Sequence, residues 1–254
     1  APGSAAKLRG TTIMLSATIL IRTLNESAFI EETLEAIQRQ SCRDFEVIIV
    51  DSGSTDGTVE IAGRYPTRLL HIERERFTYG RALNLGCREA EGEFVVLLSA
   101  HALPASDGWL DALLEPFAAK DVAGVMGREL PRRGCNPFDT RGLRRLYGQA
   151  VPGDIELNES GIGFGAANGA VRRSVWKQFP FDEELPYAED HDWARRVVAS
   201  GLRLRYQPDA AAFHSHNETY GQMRRRFHNE AAAHRRLGIH GKRYRPGSLL
   251  LDAL

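Results

Sequence analysis

The sequence is poor in cysteine, carries no net charge and lacks a long apolar run, and each shortage excludes a class of protein. Its 254 residues include 33 basic and 33 acidic side chains, so the overall charge gives no indication of nucleic-acid binding. Three cysteines, an odd number, favour a reducing compartment over a disulfide scaffold. The longest apolar run, Phe94 to Leu98, is far shorter than the ~20 residues of a membrane span. We therefore expect a soluble, cytoplasmic protein.

The first half of the sequence contains a series of short apolar runs separated by amphipathic stretches. These runs lack the polar alternation of half-exposed strands, which predicts parallel strands covered on both faces; they are 17–21, 45–50, 68–72, 94–98 and 122–126. A helical stripe occupies 30–37, and Asp56 can cap a helix over 58–65. The pattern predicts an α/β fold with a mostly parallel central sheet flanked by helices. Its ligands are expected at the carboxyl ends of the strands.

The second half is more polar and richer in turn-forming residues. Loops are predicted over 131–147 and 154–169, helices over 188–200 and 220–237, and a half-exposed strand over 202–206. Residues 1–16 are expected to be a flexible N-terminus or an expression remnant, and 239–254 a C-terminal tail. The domain itself is expected to span 17–238.

Two polar segments follow the first two predicted strands. The first strand ends in Arg22-Thr-Leu-Asn-Glu26, and the second ends in Val50-Asp-Ser-Gly-Ser-Thr-Asp-Gly-Thr58. Asp51 could accept hydrogen bonds from a base or a ribose, with Gly53 allowing the ligand close to the backbone. Equally, Asp51 could simply cap a strand-to-helix turn. The residues alone leave both interpretations open.

Taken together, the two segments resemble the opening of family 2 glycosyltransferases with the GT-A (Rossmann-like) fold. The resemblance continues through Gly80-Arg-Ala-Leu-Asn-Leu-Gly86, Ala188-Glu-Asp-His-Asp-Trp193 and Ala212-Phe-His-Ser-His216. Shorter cues, such as Phe77-Thr-Tyr-Gly80 and Gly127-Arg-Glu-Leu-Pro131, are similar to bacterial rhamnosyltransferases. The resemblance implies a pocket for a UDP-, GDP- or dTDP-linked sugar. The donor-binding residues that it implies are Thr23, Asn25, Glu26, Asp51, Gly53, Arg81, Asn84, Ser99, Ala100 and Arg225.

The sequence departs from the family where a D-x-D motif normally binds a divalent cation. Ser99-Ala100-His101 stands there instead, without either carboxylate. His101 and His216 are the predicted metal ligands, with His214 as the neighbour that orients the second. Imidazole binds transition metals better than it binds Mg²⁺, which prefers oxygen ligands. Mn²⁺ is therefore expected in preference to Mg²⁺. Direct contact between these histidines and phosphate is the alternative.

Glu189 and Asp190 open a predicted helix, where acidic residues are common for purely structural reasons. By resemblance, Asp190 is the base that takes the proton from the acceptor hydroxyl, and Glu189 supports it. Asn168 and Trp193 are the predicted acceptor-binding residues. The expected reaction is sugar transfer with inversion to a sugar or lipid-linked glycan acceptor.

The segment 222–245 contains eight arginines and lysines and one acidic residue. It could be a solvated helix face, it could neutralise the donor diphosphate through Arg225 and its neighbours, or it could contact anionic lipid at the inner face of a membrane. Two rival functions also stay open. One is a nucleotide-sugar-binding protein that has lost catalysis, and the other is a sugar-phosphate nucleotidyltransferase, although the latter's glycine-rich loop is missing after the first strand.

Overall fold

The first four apolar runs form neighbouring parallel strands, as the sequence predicts, whereas an antiparallel strand separates the fifth run, 122–126, from them. The computed structural model describes residues 16–148, 150–155, 157, 163–216 and 218–237, so the expected N-terminal segment (apart from Ser16) and the C-terminal tail lie outside the described residues. The strands are β1 (Ala17–Thr23), β2 (Phe45–Asp51), β3 (Arg68–His71), β4 (Phe94–Ser99), β5 (Leu103–Pro104), β6 (Val122–Leu130), β7 (Gly153–Asp154), β8 (Asn168–Arg172) and β9 (Arg203–Phe213).

All of these strands belong to one nine-stranded sheet of order β3-β2-β1-β4-β8-β6-β9-β5, with β7 paired to β9. The pairs of β1 with β2, β1 with β4, β2 with β3 and β6 with β9 are parallel. Strand β8 is antiparallel to both neighbours, β4 and β6. The short strands β5 and β7 are antiparallel to β9. Six of the nine strands therefore run in one direction, with β8 reversed at the centre of the sheet.

Helices cover both faces of the sheet. They are α1 (Ile30–Gln38), α2 (Thr58–Ala62), α3 (Tyr79–Glu89), α4 (Trp109–Leu114), α5 (Pro137–Tyr147), α6 (Arg173–Gln178), α7 (Glu189–Ala199) and α8 (Tyr220–Arg236). Alternate residues of β1 enter two different cores: Leu20 packs with residues of α3 and α7, whereas Ile19 and Ile21 pack with α1 and α4. Because both faces are buried, the strands read as continuous apolar runs.

The second half differs from the prediction in two places. Residues 137–147 form the helix α5 within the segment predicted as loop, because Asn136 caps it by accepting from the Asp139 N–H and Pro137 occupies its first turn. The strand predicted over 202–206 is β9, which extends to Phe213 and pairs with β6 over 203–207 and again over 211–213. Among the described residues, no helix has both the length and the apolar character needed to cross a membrane.

Candidate functional site

Polar side chains collect at the carboxyl ends of β1, β2 and β4, where a parallel sheet normally receives its ligand. The loops after β1 and β2 are tied to each other. Ser54 Oγ accepts from the Asn25 N–H at 2.9 Å, and Asn25 Oδ1 accepts from the Thr55 N–H at 2.8 Å. Asn25 has a φ of 55°, in the left-handed region that asparagine tolerates. Asn25 thus holds the two loops together at the sheet edge.

Asp51 stabilises its own turn. Its Oδ2 accepts from the backbone N–H groups of Gly53 at 2.9 Å and Ser54 at 3.1 Å. Gly53 has a φ of 95°, which favours glycine. The interpretation of this segment as a capped turn is confirmed, and a contact to the nucleotide stays a prediction. Beside it, the Thr23 hydroxyl is buried with no hydrogen-bond partner in the described part of the chain.

Three imidazoles meet beyond the ends of β4 and β9. Within the described residues, potential ligand atoms of His101, His214 and His216 all lie within 4.8 Å of one another. The rings of His101 and His214 are nearly parallel, with centroids 5.0 Å apart. Nδ1 of His101 lies 2.9 Å from Glu26 Oε1, and Nδ1 of His214 lies 2.8 Å from Glu129 Oε2. Because an ionised carboxylate only accepts hydrogen bonds, Nδ1 of each ring carries the proton and Nε2 is the nitrogen that could bind a cation. The hydroxyl of Ser99 lies 3.3 Å from Nε2 of His101.

His216 is held in the neutral form that binds metals. Burial lowers its pKa to about 3, and the neighbouring His214, His101 and Arg226 act in the same direction. We call these three histidines the imidazole cluster. The sequence predicts His101 and His216 as ligands, and the structure brings them together. It also brings in His214 as a third candidate ligand. Glu26, which is predicted at the donor, lies against His101.

The two acidic residues that open α7 have different surroundings. Asp190 is partly exposed, and its two oxygens accept from the N–H groups of Ala166 at 3.0 Å and His191 at 2.8 Å. Glu189 is 4% exposed. Burial raises its pKa to about 7, and the charge of Asp190 adds to this, while Arg22 opposes it. Asp190 is therefore the positioned, accessible carboxylate, and Glu189 the buried one.

The two predicted acceptor contacts are corrected by their burial. Asn168 and Trp193 are both 0% exposed. The Asn168 amide donates to the carbonyls of Arg128 and Ala210 and accepts from the Trp109 indole N–H. Trp193 packs between the rings of Phe164 and Phe181. Both side chains support the core beneath the site, so neither can touch an acceptor.

Asn84 and Arg81, both predicted to bind the donor, instead form hydrogen bonds and ion pairs with the segment 181–184 that leads into α7. Asn84, 2% exposed, donates to the Phe181 carbonyl and to Glu183, and accepts from the Phe181 N–H and the Trp176 indole N–H. Arg81 forms ion pairs with Glu183 and Glu184. Their direct contact with the donor is not supported, because their polar groups already bind the protein. Ala100 is likewise buried, and its carbonyl accepts from Thr33.

The basic residues of α8 are divided between its two sides. The side chain of Arg225 is exposed, and no contact in the described part of the chain links it to the imidazole cluster. Arg226 instead pairs with Glu218 at 2.8 Å and with Asp139 of α5 at 3.4 Å, so it joins α8 to α5. Arg22, the first residue of the first polar segment, is not among the predicted site residues, yet its Nη1 lies 3.7 Å from Glu189 Oε1.

Comparison with known proteins agrees with this geometry. The model of the family described as glycosyl transferase family 2 matches residues 18–179. The O-antigen chain rhamnosyltransferase WbaN of Salmonella anatum is 32% identical over 229 residues, which cover 87% of this chain and 73% of the relative. RfbN of Salmonella typhimurium, with the same description, is 27% identical over 225 residues, 85% of this chain and 72% of the relative.

Solved structures extend the likeness to the fold. The mannosyltransferase PcManGT of Pyrobaculum calidifontis, solved with GDP-Man and Mn²⁺, superposes with a TM-score of 0.70 and is 27% identical. The superposition covers 95% of this chain and 69% of that one. The expected GT-A fold is confirmed, and the chain belongs to glycosyl transferase family 2.

Proposed function

We propose that this enzyme transfers rhamnose, or a related deoxyhexose, from a nucleoside diphosphate to a hydroxyl group of a growing glycan. The choice of sugar is supported by the two rhamnosyltransferases that match most of the chain. One observation carries the chemistry: a short chain of contacts links Asp190 to the imidazole cluster. The Asp190 carboxylate accepts from the Ala166 N–H, the carbonyl of the next residue, Ala167, accepts from the Ser99 N–H at the end of β4, and Ser99 Oγ lies 3.3 Å from His101 Nδ1. Sugar transfer needs a base on one side of the anomeric carbon and positive charge on the other.

In this mechanism Asp190 accepts the proton of the acceptor hydroxyl as that oxygen attacks the anomeric carbon. The bond from the anomeric carbon to the phosphate oxygen breaks, and the nucleoside diphosphate leaves from the opposite face, which inverts the configuration. The N–H groups of Ala166 and His191 hold the Asp190 carboxylate in place, so little reorganisation is needed. Ser99 and the loops after β1 and β2 face the donor side.

The imidazole cluster fits a divalent cation. Its three nitrogen donors suit a transition metal, so we propose Mn²⁺ rather than Mg²⁺, and Glu26 and Glu129 orient two of the rings. A cation held by His101, His214 and His216 would supply positive charge to the leaving diphosphate. This set would replace the carboxylates that Ser99-Ala100-His101 lacks.

For the acceptor we propose a lipid-linked glycan reached at the surface of a membrane on its cytoplasmic side. Helices α5 and α8, joined by Arg226, carry the exposed side chains of Arg144, Arg145, Arg224 and Arg225. They also expose the aromatic rings of Phe138 (68%) and Phe227 (47%). Arginine together with exposed aromatic side chains is typical of a surface that binds anionic lipid.

The function is tested with a panel of dTDP-rhamnose, GDP-mannose and UDP-N-acetylglucosamine. The cognate donor should raise the melting temperature of the protein, because it binds only the folded state. The wild type should then release nucleoside diphosphate slowly without acceptor and faster with it. If no nucleotide sugar stabilises the protein, the proposal is wrong. If a donor binds but is never consumed with any acceptor, the chain is a binding protein.

A further inference from the structure

Arg22 lies one residue before the end of β1, on the side of the sheet that α3 and α7 cover. It lies in β1 on the same face as Leu20, which packs so tightly on α3 that a Cβ on Gly86 would lie 2.1 Å from Leu20 Cδ1. The register of β1 and β4 places Arg22 beside Ser99. Arg22 is therefore next to the strand end where the family normally has its first metal-binding carboxylate.

The surroundings of Arg22 fix its guanidinium without satisfying it. The guanidinium carbon lies 4.8 Å from the centre of the Tyr79 ring. Nη1 lies 3.7 Å from Glu189 Oε1, which is too far for a hydrogen bond. In the described part of the chain, Nε and Nη1 are buried and have no hydrogen-bond partner. Leaving buried donors unpaired is unfavourable, so this arrangement is expected to serve a ligand.

The charge of this region indicates what the ligand is. Glu189 lies 3.7 Å from Arg22, and Asp190 is the next residue of α7, where its negative charge would repel a phosphate. A sugar hydroxyl is neutral and both donates and accepts hydrogen bonds. A guanidinium and a carboxyl group held side by side, but not bonded to each other, offer a donor and an acceptor to neighbouring hydroxyls. The pair therefore fits a sugar better than a diphosphate.

We propose that Arg22 and Glu189 bind hydroxyl groups of the transferred sugar and so determine which donor sugar the enzyme accepts. This inference depends on the proposed function, because it requires a nucleotide sugar as the donor. It assigns Glu189 a substrate contact of its own, in addition to supporting Asp190.

The test compares binding of dTDP-rhamnose with binding of dTDP alone, by calorimetry, in the wild type, Arg22→Gln and Glu189→Gln. If another donor of the panel is cognate, that donor and its nucleoside diphosphate replace the pair. Both variants should bind the nucleoside diphosphate within about twofold of the wild type. Their preference for the sugar-bearing form should fall at least about tenfold, the loss of one hydrogen bond to a charged group. Arg205→Gln, an arginine paired with Asp154 on the surface, is the matched control.

Each other outcome has a definite meaning. Equal weakening of dTDP and dTDP-rhamnose binding by Arg22→Gln would make Arg22 a diphosphate contact and overturn the proposal. An unchanged sugar preference with a lower melting temperature would show a purely structural pair. If Arg22→Gln does not fold, Glu189→Gln, which keeps the size of the side chain, decides alone. A wild type that binds no nucleotide sugar would overturn the proposed function as well.

Discussion

At the scale of single residues, helix α7 carries one carboxylate that we expect to act in the reaction, Asp190, and another that only forms an ion pair, Asp192. Asp190→Asn keeps the shape but removes the base, so turnover should fall roughly 10²–10⁴-fold while donor binding survives. Asp192→Asn is the matched control, because Asp192 lies two residues further along α7 and pairs with Arg196. Rate assays and calorimetry on both variants check this. A mild effect of Asp190→Asn beside a large one of Glu189→Gln would exchange the two roles.

The imidazole cluster makes a second prediction at this scale. His214→Ala should weaken Mn²⁺ binding at least about tenfold and lower the activity restored by Mn²⁺ after exhaustive chelation, because one of three candidate ligands is lost. His228→Ala, an exposed histidine on α8, should leave both unchanged. Full activity of the wild type in excess chelator would remove the metal from the mechanism. The histidines would then be direct donors to phosphate.

At the scale of elements, the close packing of α3 against the segment before α7 determines where Glu189 and Asp190 stand. A Cβ at Gly80 would lie 2.1 Å from the Asp182 carbonyl oxygen, whereas one at Gly142 in α5 would meet nothing within 4 Å. Gly80→Ala should therefore lower the free energy of unfolding by about 1–3 kcal/mol and reduce turnover by displacing this segment. Gly142→Ala should raise it by about 0.5–1 kcal/mol. Chemical denaturation and rate assays measure both; a neutral Gly80→Ala would contradict the packing.

Strands and helices also differ in how far the sequence predicts them. Buried parallel strands can be recognised in a sequence as apolar runs. The predicted bounds of β1, β2 and β4 therefore agree with the structure within two residues. Helix α5 is missed because its arginines and the glycine at 142 resemble a loop, and its capping by Asn136 is a subtler signal. The sequence predicts His101 and His216 as ligands of one cation, but only the fold shows that His214 is a third candidate ligand beside them. Arg22 begins the first polar segment but is not among the predicted site residues, because its role depends on α3 and α7 packing against β1.

At the scale of the whole molecule, Glu189 makes stability depend on pH. Its pKa is raised to about 7 by burial and by Asp190, so the folded state holds a proton that the unfolded chain has released above its ordinary pKa near 4.5. Stability should therefore fall as the pH rises from about 4.5 to 7, by an amount on the order of 2–3 kcal/mol. Glu189→Gln should remove this loss, and Glu60→Gln on the surface of α2 should not. Denaturation at pH 5 and pH 8 compares them; equal pH dependence in all three proteins would contradict the raised pKa.

The reversed strand β8 has a consequence for how the protein is made. Strands β4 and β6 are separated in the sheet by β8, whose residues 168–172 emerge from the ribosome after both. Until then each of the two earlier strands presents an unpaired edge, which is a site for aggregation. The nascent chain thus passes through a long stage in which its sheet is open, and we expect it to engage chaperones there. A polypeptide that stops before residue 168 would remain at that stage.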